Sequence, residues 1–419
     1  MRNHPRVPTG PFALRVIALL LLVIGGFTLG GRLRELPSDP HPGFARWYAG
    51  AWTLRSGLPL TDLYDDGRFA RRVDRLAPAS GLLRFAPTPP ASVAPYLPFT
   101  RLALGSARVS SGLLAAGLVL ASLWLLGLLA GGRVWERAEW LALTGAVFGS
   151  TPLARALSSG DPAPLLLFLW SVLFVAAMRQ RWFVVAVCAA VSSVLSGIGP
   201  VFALGLAFGR ARKQALLAAG AIAVAFLIAI AGLGMDAHVA WLSRLARGFG
   251  ELGSPEVVSA PGACARLLGL LRETGISAEA PRALDGFAAG ALALVLLVFA
   301  VGWSVRRLRA SGGATTGPRR LAVWTTLALG FAPGASVATL LLAVVPLWAA
   351  LRSAVLAEVS GRRWLSLALA AALILAPLPR PLAAARFAGL VLLWFWLLTA
   401  PDPADESDAV RRSAPSAYW

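Results

Sequence analysis

The chain has 419 residues, 57% hydrophobic and only 14% charged, with a mean hydropathy of +0.70. These proportions exclude an ordinary soluble domain and point to a polytopic membrane protein. The 39 basic residues outnumber the 20 acidic ones for a formal charge of +19, but they sit in small clusters beside apolar runs, which argues for membrane topology and against nucleic acid as a partner.

In chain order, apolar runs fall at residues 13–31, 107–131, 139–157, 163–178, 182–197, 199–209, 214–233, 285–304, 320–332, 336–352, 364–378 and 382–400. With roughly 20 residues needed per crossing, they predict an all-α polytopic bundle of about 10–12 transmembrane helices, some broken at Gly-Pro pairs. The first run is long for a signal-peptide core and passes into Arg32-Leu33-Arg34 without a small-residue cleavage site, so it reads as an anchor. Arginine pairs such as Arg133/Arg137, Arg179/Arg181, Arg306/Arg307 and Arg362/Arg363 then share one side, which the positive-inside rule makes the cytoplasm, together with the N-terminus. Residues 32–105 and 234–284 become two extracytoplasmic loops. Residues 1–400 form one integral-membrane domain, and the acidic tail 401–419 has the composition of a disordered segment.

The first loop is too long and too patterned in aromatics and prolines to be a plain connection. Its lead-in is Ser38-Asp39-Pro40-His41-Pro42-Gly43. An amphipathic helix near Phe44 to Arg55 follows, with Trp47, Tyr48 and Trp52 on or near one face, the profile of a segment lying in the membrane interface. A Gly57-Leu58-Pro59 turn, an Asp62 to Asp66 turn, a charged helix near Arg68 to Leu76, and the segments Pro87-Thr88-Pro89-Pro90 and Tyr96-Leu97-Pro98 complete it. The second loop carries Trp241, Arg244, Arg247 and a short helix near Ser259 to Gly269 that contains Arg266. Cys188 and Cys264 suggest no disulfide framework, and His4, His41 and His238 have no ligand spacing, so neither a metal nor a cofactor is expected.

The pattern Phe44-x-x-Trp47-Tyr48-x-x-Ala51, with Gly57, Tyr64, Pro89-Pro90 and Pro95 after it, resembles glycosyltransferase family 87, polyprenol-phosphate-mannose-dependent mannosyltransferases of GT-C membrane fold. Ser159-Gly160-Asp161-Pro162, Gly199-Pro200, Arg266-Leu267-Leu268-Gly269 and Ala332-Pro333 extend the resemblance in order and spacing through most of the chain. It implies a GT-C-like bundle with short amphipathic helices in its outer loops, lodged in a bacterial plasma membrane. It also implies transfer of a hexose, mannose in the family, from a polyprenyl-phosphate donor to an extracytoplasmic lipid or glycan acceptor, inverting and without metal. The family's motif places an Asp immediately before the first Phe as catalytic base, and this chain has Gly43 there.

Attack of an acceptor hydroxyl on an anomeric carbon needs a carboxylate to take the proton and cations to steady the departing phosphate. Asp39 is the expected base and His41 its proton partner, although an Asp before a proline also initiates a turn unaided. Arg46, Arg55 and Arg84 are expected to contact the lipid phosphate, with contact to membrane lipid headgroups as the competing use. Tyr48 is expected against the sugar, with a place in an interfacial aromatic belt as its alternative. Asp161 either contacts substrate or caps the helix it precedes, while Asp62, Asp65 and Asp66 read as turn and N-cap residues. Two other readings stay open. One is a catalytically degenerate GT-C scaffold or partner protein, suggested by Gly43. The other is a lipid or solute transporter, disfavoured by spans nearly free of carboxylates and by the lack of a repeat.

Overall fold

The computed structural model of the chain describes residues 10–37, 43–77, 84–85, 88–128, 135–198, 200–208, 212–248, 257–273, 282–310, 317–332, 335–356, 359–378 and 385–400. Among these residues lie 17 α-helices and three 3-10 segments, and the sole extended pairing is an isolated bridge between Val257 and Ser336. The protein is an all-α polytopic membrane protein. Helix is the form that lets an apolar segment satisfy its own backbone groups in lipid.

Five helices are long and apolar enough to cross a membrane. Four of them lie in α1 (Gly10–Glu35), α4 (Leu104–Leu128), α10 (Arg212–Leu233) and α13 (Arg282–Ala310), and the fifth joins a 3-10 turn (Ala338–Ala343) to α15 (Val344–Leu356). Shorter apolar helices lie in α5 (Trp135–Phe148), α7 (Ala163–Met178), α8 (Trp182–Ser196) and α17 (Ala385–Thr399), with α9 (Pro200–Phe208), α14 (Gly317–Phe331) and α16 (Gly361–Leu375) beside them. Some 78% of the Ala338–Val355 window is buried, against 11% in α1 and in α10, so α15 is the axis of the bundle and the other two present apolar faces to lipid. Trp348, Leu340 and Leu342 are fully buried at that axis, whereas Phe27, Leu216 and Ile228 are exposed.

The run expected as one span over residues 139–157 is two helices. Gly149 and Ser150 end α5, and α6 (Thr151–Ser159) starts anew, with the Ser150 hydroxyl accepting from the Leu153 N–H at 3.3 Å and Pro152 in the first turn. A second difference concerns α2 (Gly43–Arg55), expected in the membrane interface. It is instead the centre of a small aromatic core. Phe44 and Trp47 are each 1% exposed and Tyr48 is buried, packed with Tyr64, Phe69, Phe85 and Tyr96. The loop holds enough aromatic surface to close a core of its own, which removes more apolar area from water than a shallow interfacial position would.

This loop unit comprises α2, the 3-10 turn Leu60–Tyr64, α3 (Asp66–Leu76), the 3-10 segment Pro90–Arg101 and, from the second loop, α11 (Met235–Gly248), whose Ala237 and Trp241 join the core. Asp62 pins it together, receiving Arg68 at 3.0 Å and Arg72 at 2.9 Å, while Arg72 also donates to the Thr53 hydroxyl of α2 at 2.8 Å. Asp65 caps α3 by accepting from the Arg68 N–H. Farther on, α12 (Ala260–Glu273) packs on α13, and Val258 N–H donates to the Ala335 carbonyl at 2.9 Å. At the opposite end of the bundle, the buried Arg319 donates from Nε to Leu397 O and from Nη2 to Ala400 O, both at 2.6 Å, and so serves the last carbonyls of α17.

The first helix docks on the bundle chiefly through α5, and the two backbones meet at Gly25 and Gly145. A Cβ at either position would overlap main-chain atoms of the facing helix, the small-residue contact that brings membrane helices close. Replacing Gly145 by Leu is expected to cost about 1–3 kcal/mol through overpacking and to abolish site-specific cross-linking between α1 and α5. Undiminished cross-linking would show that the contact is dispensable.

Burial works against the Asp62 charge, yet the hydrogen bonds and charges of Arg68 and Arg72 outweigh it and hold the carboxyl below its ordinary 3.8. Its stabilising effect is therefore complete above that pH and lost as the pH falls through the depressed value. Asp62→Asn should cost about 2 kcal/mol at neutral pH, because the amide keeps one acceptor oxygen, turns a donor toward the second guanidinium and removes the charge that both arginines face. Thermal melts of the two proteins in detergent should converge well below pH 3.8, and a gap that persists there would refute the linkage.

Candidate active site

The loop unit rests on the bundle where the start of α2 meets the turn between α6 and α7. Gly160 closes α6 in the left-handed conformation, φ +62°, and a Cβ there would lie 3.2 Å from Phe44 Cα and closer still to the Phe44 ring. Both the backbone angle and the space call for glycine. Tyr96 donates its hydroxyl hydrogen to the Gly160 carbonyl and stacks on Trp47, with ring centres 5.4 Å apart and planes 17° from parallel. Phe85 closes the other edge of Trp47 at 5.6 Å.

Two opposite charges converge on this contact. Asp161 opens the turn into α7, its Oδ1 accepting from the Ala163 N–H at 2.9 Å. Arg46, on the first turn of α2, lays its guanidinium 5.4 Å from the Trp47 ring centre and interacts electrostatically with Asp161. Its Nε is buried without a hydrogen-bond partner among the described residues. Burial pushes the Asp161 carboxyl up, against the pull of Arg46 and the Ala163 N–H. Burial, reinforced by Asp161, also pushes the Tyr96 phenol well up, which keeps it a neutral donor. A carboxylate, a cation and an aromatic wall thus share one place at the loop end of the bundle, where charge interactions are stronger than in water.

The residues expected from the sequence distribute as follows. Asp39 and His41 lie outside the described residues. Arg46 and Asp161 come together at the junction. Tyr48 donates its hydroxyl hydrogen to the Leu102 carbonyl at 2.8 Å, with its ring centre 6.2 Å from that of Phe44. Arg55 donates to the Thr100 carbonyl at 2.7 Å and ties α2 to the Pro90–Arg101 segment. Arg84 pairs with Asp66 at 3.3 Å, as does Arg244 of α11 at 3.5 Å, beside a cleft of about 420 Å³ lined by Tyr64, Asp65, Asp66, Gly67 and Arg244. Tyr96 is not among the residues singled out from the sequence. Its flanking prolines, Pro95 and Pro98, were the available signal, because they fix the segment that aims its ring. Among the described residues no three His, Cys, Asp or Glu side chains converge as a metal site would require.

A family model described as glycosyltransferase family 87 matches residues 88–333. The match begins at the loop segment that carries Tyr96, takes in α4 to α14 with the Gly160-Asp161 turn and the second loop, and leaves α1 and α2 before it. Comparisons with curated proteins and with solved structures gave no match. The matched stretch is more than half of the chain, and the protein belongs to glycosyltransferase family 87, a family of membrane glycosyltransferases.

Proposed function

We propose that this protein transfers a hexose, mannose by family likeness, from a polyprenyl-phosphate carrier to an extracytoplasmic lipid or glycan acceptor, in a bacterial plasma membrane with the loop end facing outward. The observation that carries this reading is the meeting of Arg46 and Asp161 beside the Trp47–Tyr96 stack, with a buried Arg46 Nε still able to donate. A guanidinium there suits a phosphate oxygen, a carboxylate suits sugar hydroxyls, and an aromatic wall suits the apolar face of a sugar ring.

In this scheme the acceptor hydroxyl attacks the anomeric carbon from the face opposite the phosphate, which inverts the configuration. The phosphate leaves as an anion, so a single carboxylate base is sufficient. Asp39 takes the acceptor proton, with His41 as its partner; it stands four residues before Gly43 in the segment that leads into α2. Arg46 balances charge on the departing phosphate and Asp161 orients the sugar. Tyr48, Arg55 and Arg84 act on substrate through the frame, since each binds another part of the outer loop. No metal or cofactor enters the scheme. The degenerate-scaffold reading keeps one argument, Gly43 at the head of α2.

Membranes containing the protein should transfer hexose from a polyprenyl-phosphate hexose to endogenous lipid acceptors. Asp39→Asn should lower turnover about 100-fold or more, the scale of a lost general base. Arg46→Gln should lower turnover, and Asp161→Asn should chiefly raise KM for the donor. Full turnover by Asp39→Asn would remove Asp39 as the base. Inactivity of the wild type toward every polyprenyl-phosphate hexose, with the protein folded, would leave the scaffold reading.

A further inference from the structure

One residue, Gly234, separates the spanning helix α10 from α11. It closes α10 by donating its N–H to the Ile230 carbonyl at 2.9 Å and takes a left-handed φ of +89°. Its own carbonyl accepts from the His238 ring at 2.8 Å, in the first turn of α11. The chain changes direction here, and α11 packs on the Leu60–Tyr64 turn and the Pro90–Arg101 segment of the loop unit. With 14 residues α11 is about 21 Å long. That is too short to cross a hydrocarbon core of about 30 Å.

The side chains of α11 divide into three faces. At about 100° per residue, Ala237, Trp241 and Arg244 lie within about 60° of one another. They face protein: Ala237 and Trp241 join the aromatic core, and Arg244 closes on Asp66 at 3.5 Å beside the cleft. Met235, Val239 and Leu242 fall on the opposite side, again within about 60°. They are 59%, 52% and 55% exposed. Asp236 and Ser243 lie between these two faces and are exposed as well.

A helix bordered by water alone would carry polar residues along its whole outward surface, whereas α11 sets an apolar stripe beside a polar one. The stripe also continues a surface already facing lipid, because α10 exposes Val224, Leu227 and Ile228 and Met235 follows directly on its end. At 22 residues α10 is about 33 Å long, close to the thickness of the hydrocarbon core, so its end marks the boundary at which α11 begins.

We propose that α11 lies along the membrane–water boundary at the loop end, with Met235, Val239 and Leu242 among lipid acyl chains, Asp236 and Ser243 toward water, and its third face gripping the loop unit. The partner of the apolar stripe is the surrounding lipid bilayer. The interfacial place expected of α2 thus falls to α11. Because Arg244 also lines the cleft, the cleft stands about one helix diameter, some 10–12 Å, from the acyl chains, at the depth of lipid headgroups. None of this depends on the hexosyl-transfer reading.

The test measures which solvent each face meets, without turnover. The full-length protein is reconstituted in phospholipid bilayers and spin-labelled at one position at a time through Val239→Cys, Leu242→Cys and Ser243→Cys. Labelled wild type, whose Cys188 and Cys264 are buried, gives the background. Collisions with oxygen, which concentrates among acyl chains, are compared with collisions with a water-soluble nickel chelate. All three positions are exposed, so the variants should elute from a sizing column as the wild type does. The labels at 239 and 242 should collide more with oxygen and the label at 243 more with nickel. Equal nickel access at the three positions overturns the proposal, since the stripe then faces water. Low access to both reagents at 239 and 242 overturns it too, because the stripe is then covered by protein: a second copy if labels on different molecules broaden each other's spectra, another part of the same chain if they do not.

Discussion

The hydrogen bond from the Tyr96 hydroxyl to the Gly160 carbonyl, made beneath the Phe44 ring, is the constraint on which the loop end depends. It ties the first loop to the turn that launches α7, and those two segments supply Arg46 and Asp161. The bond is durable because the Tyr96 phenol is buried and stays protonated, and because Gly160 accepts a backbone angle that other residues adopt only with strain. Trp47 stacks on the Tyr96 ring and is itself backed by the edge contact of Phe85. A side chain at position 160 would push Phe44 away and carry α2 with it, so the charges on the two sides would lose their register.

The arginines divide by the partners they find. Arg68 and Arg72 close on Asp62, Arg84 and Arg244 close on Asp66, and Arg55 and Arg319 donate to carbonyls; these six side chains hold elements together. Arg46 faces Asp161, which burial pushes toward its neutral form. Arg46 and Asp161 thus meet where α6 ends, and α6 itself packs between α2 and the 3-10 turn that leads into α15.

Much of this was legible in the residues. Apolar run lengths gave the helical membrane fold, since lipid leaves a chain few other ways to satisfy its backbone. Asp65 showed itself as a cap by its place before the charged helix. The break at Gly149-Ser150 was harder to see, because Ser150 and Pro152 are helix-start signals embedded in an apolar stretch that hydropathy averages away. The role of α2 was misjudged for a different reason. Trp47 and Tyr48 have the same amphipathic spacing whether they face lipid or a protein core, and the deciding partners, Phe85 and Tyr96, lie about 40 to 50 positions farther along the chain. The approach of Arg46 to Asp161 likewise joins residues distant in sequence, which no local pattern announces.

The Gly25–Gly145 crossing has a consequence for assembly. Synthesis delivers α1 to the membrane well before α5 exists, so the first helix must persist for a time with lipid on every side. Its composition permits this, with Ile17, Leu20, Ile24 and Phe27 still exposed in the finished protein. Docking onto α5 then requires no hydrophobic driving force, only a fit between two glycine surfaces. That step fixes the tether from which the first loop hangs, so a contact between two glycines on spanning helices bears on a site at the loop end of the bundle.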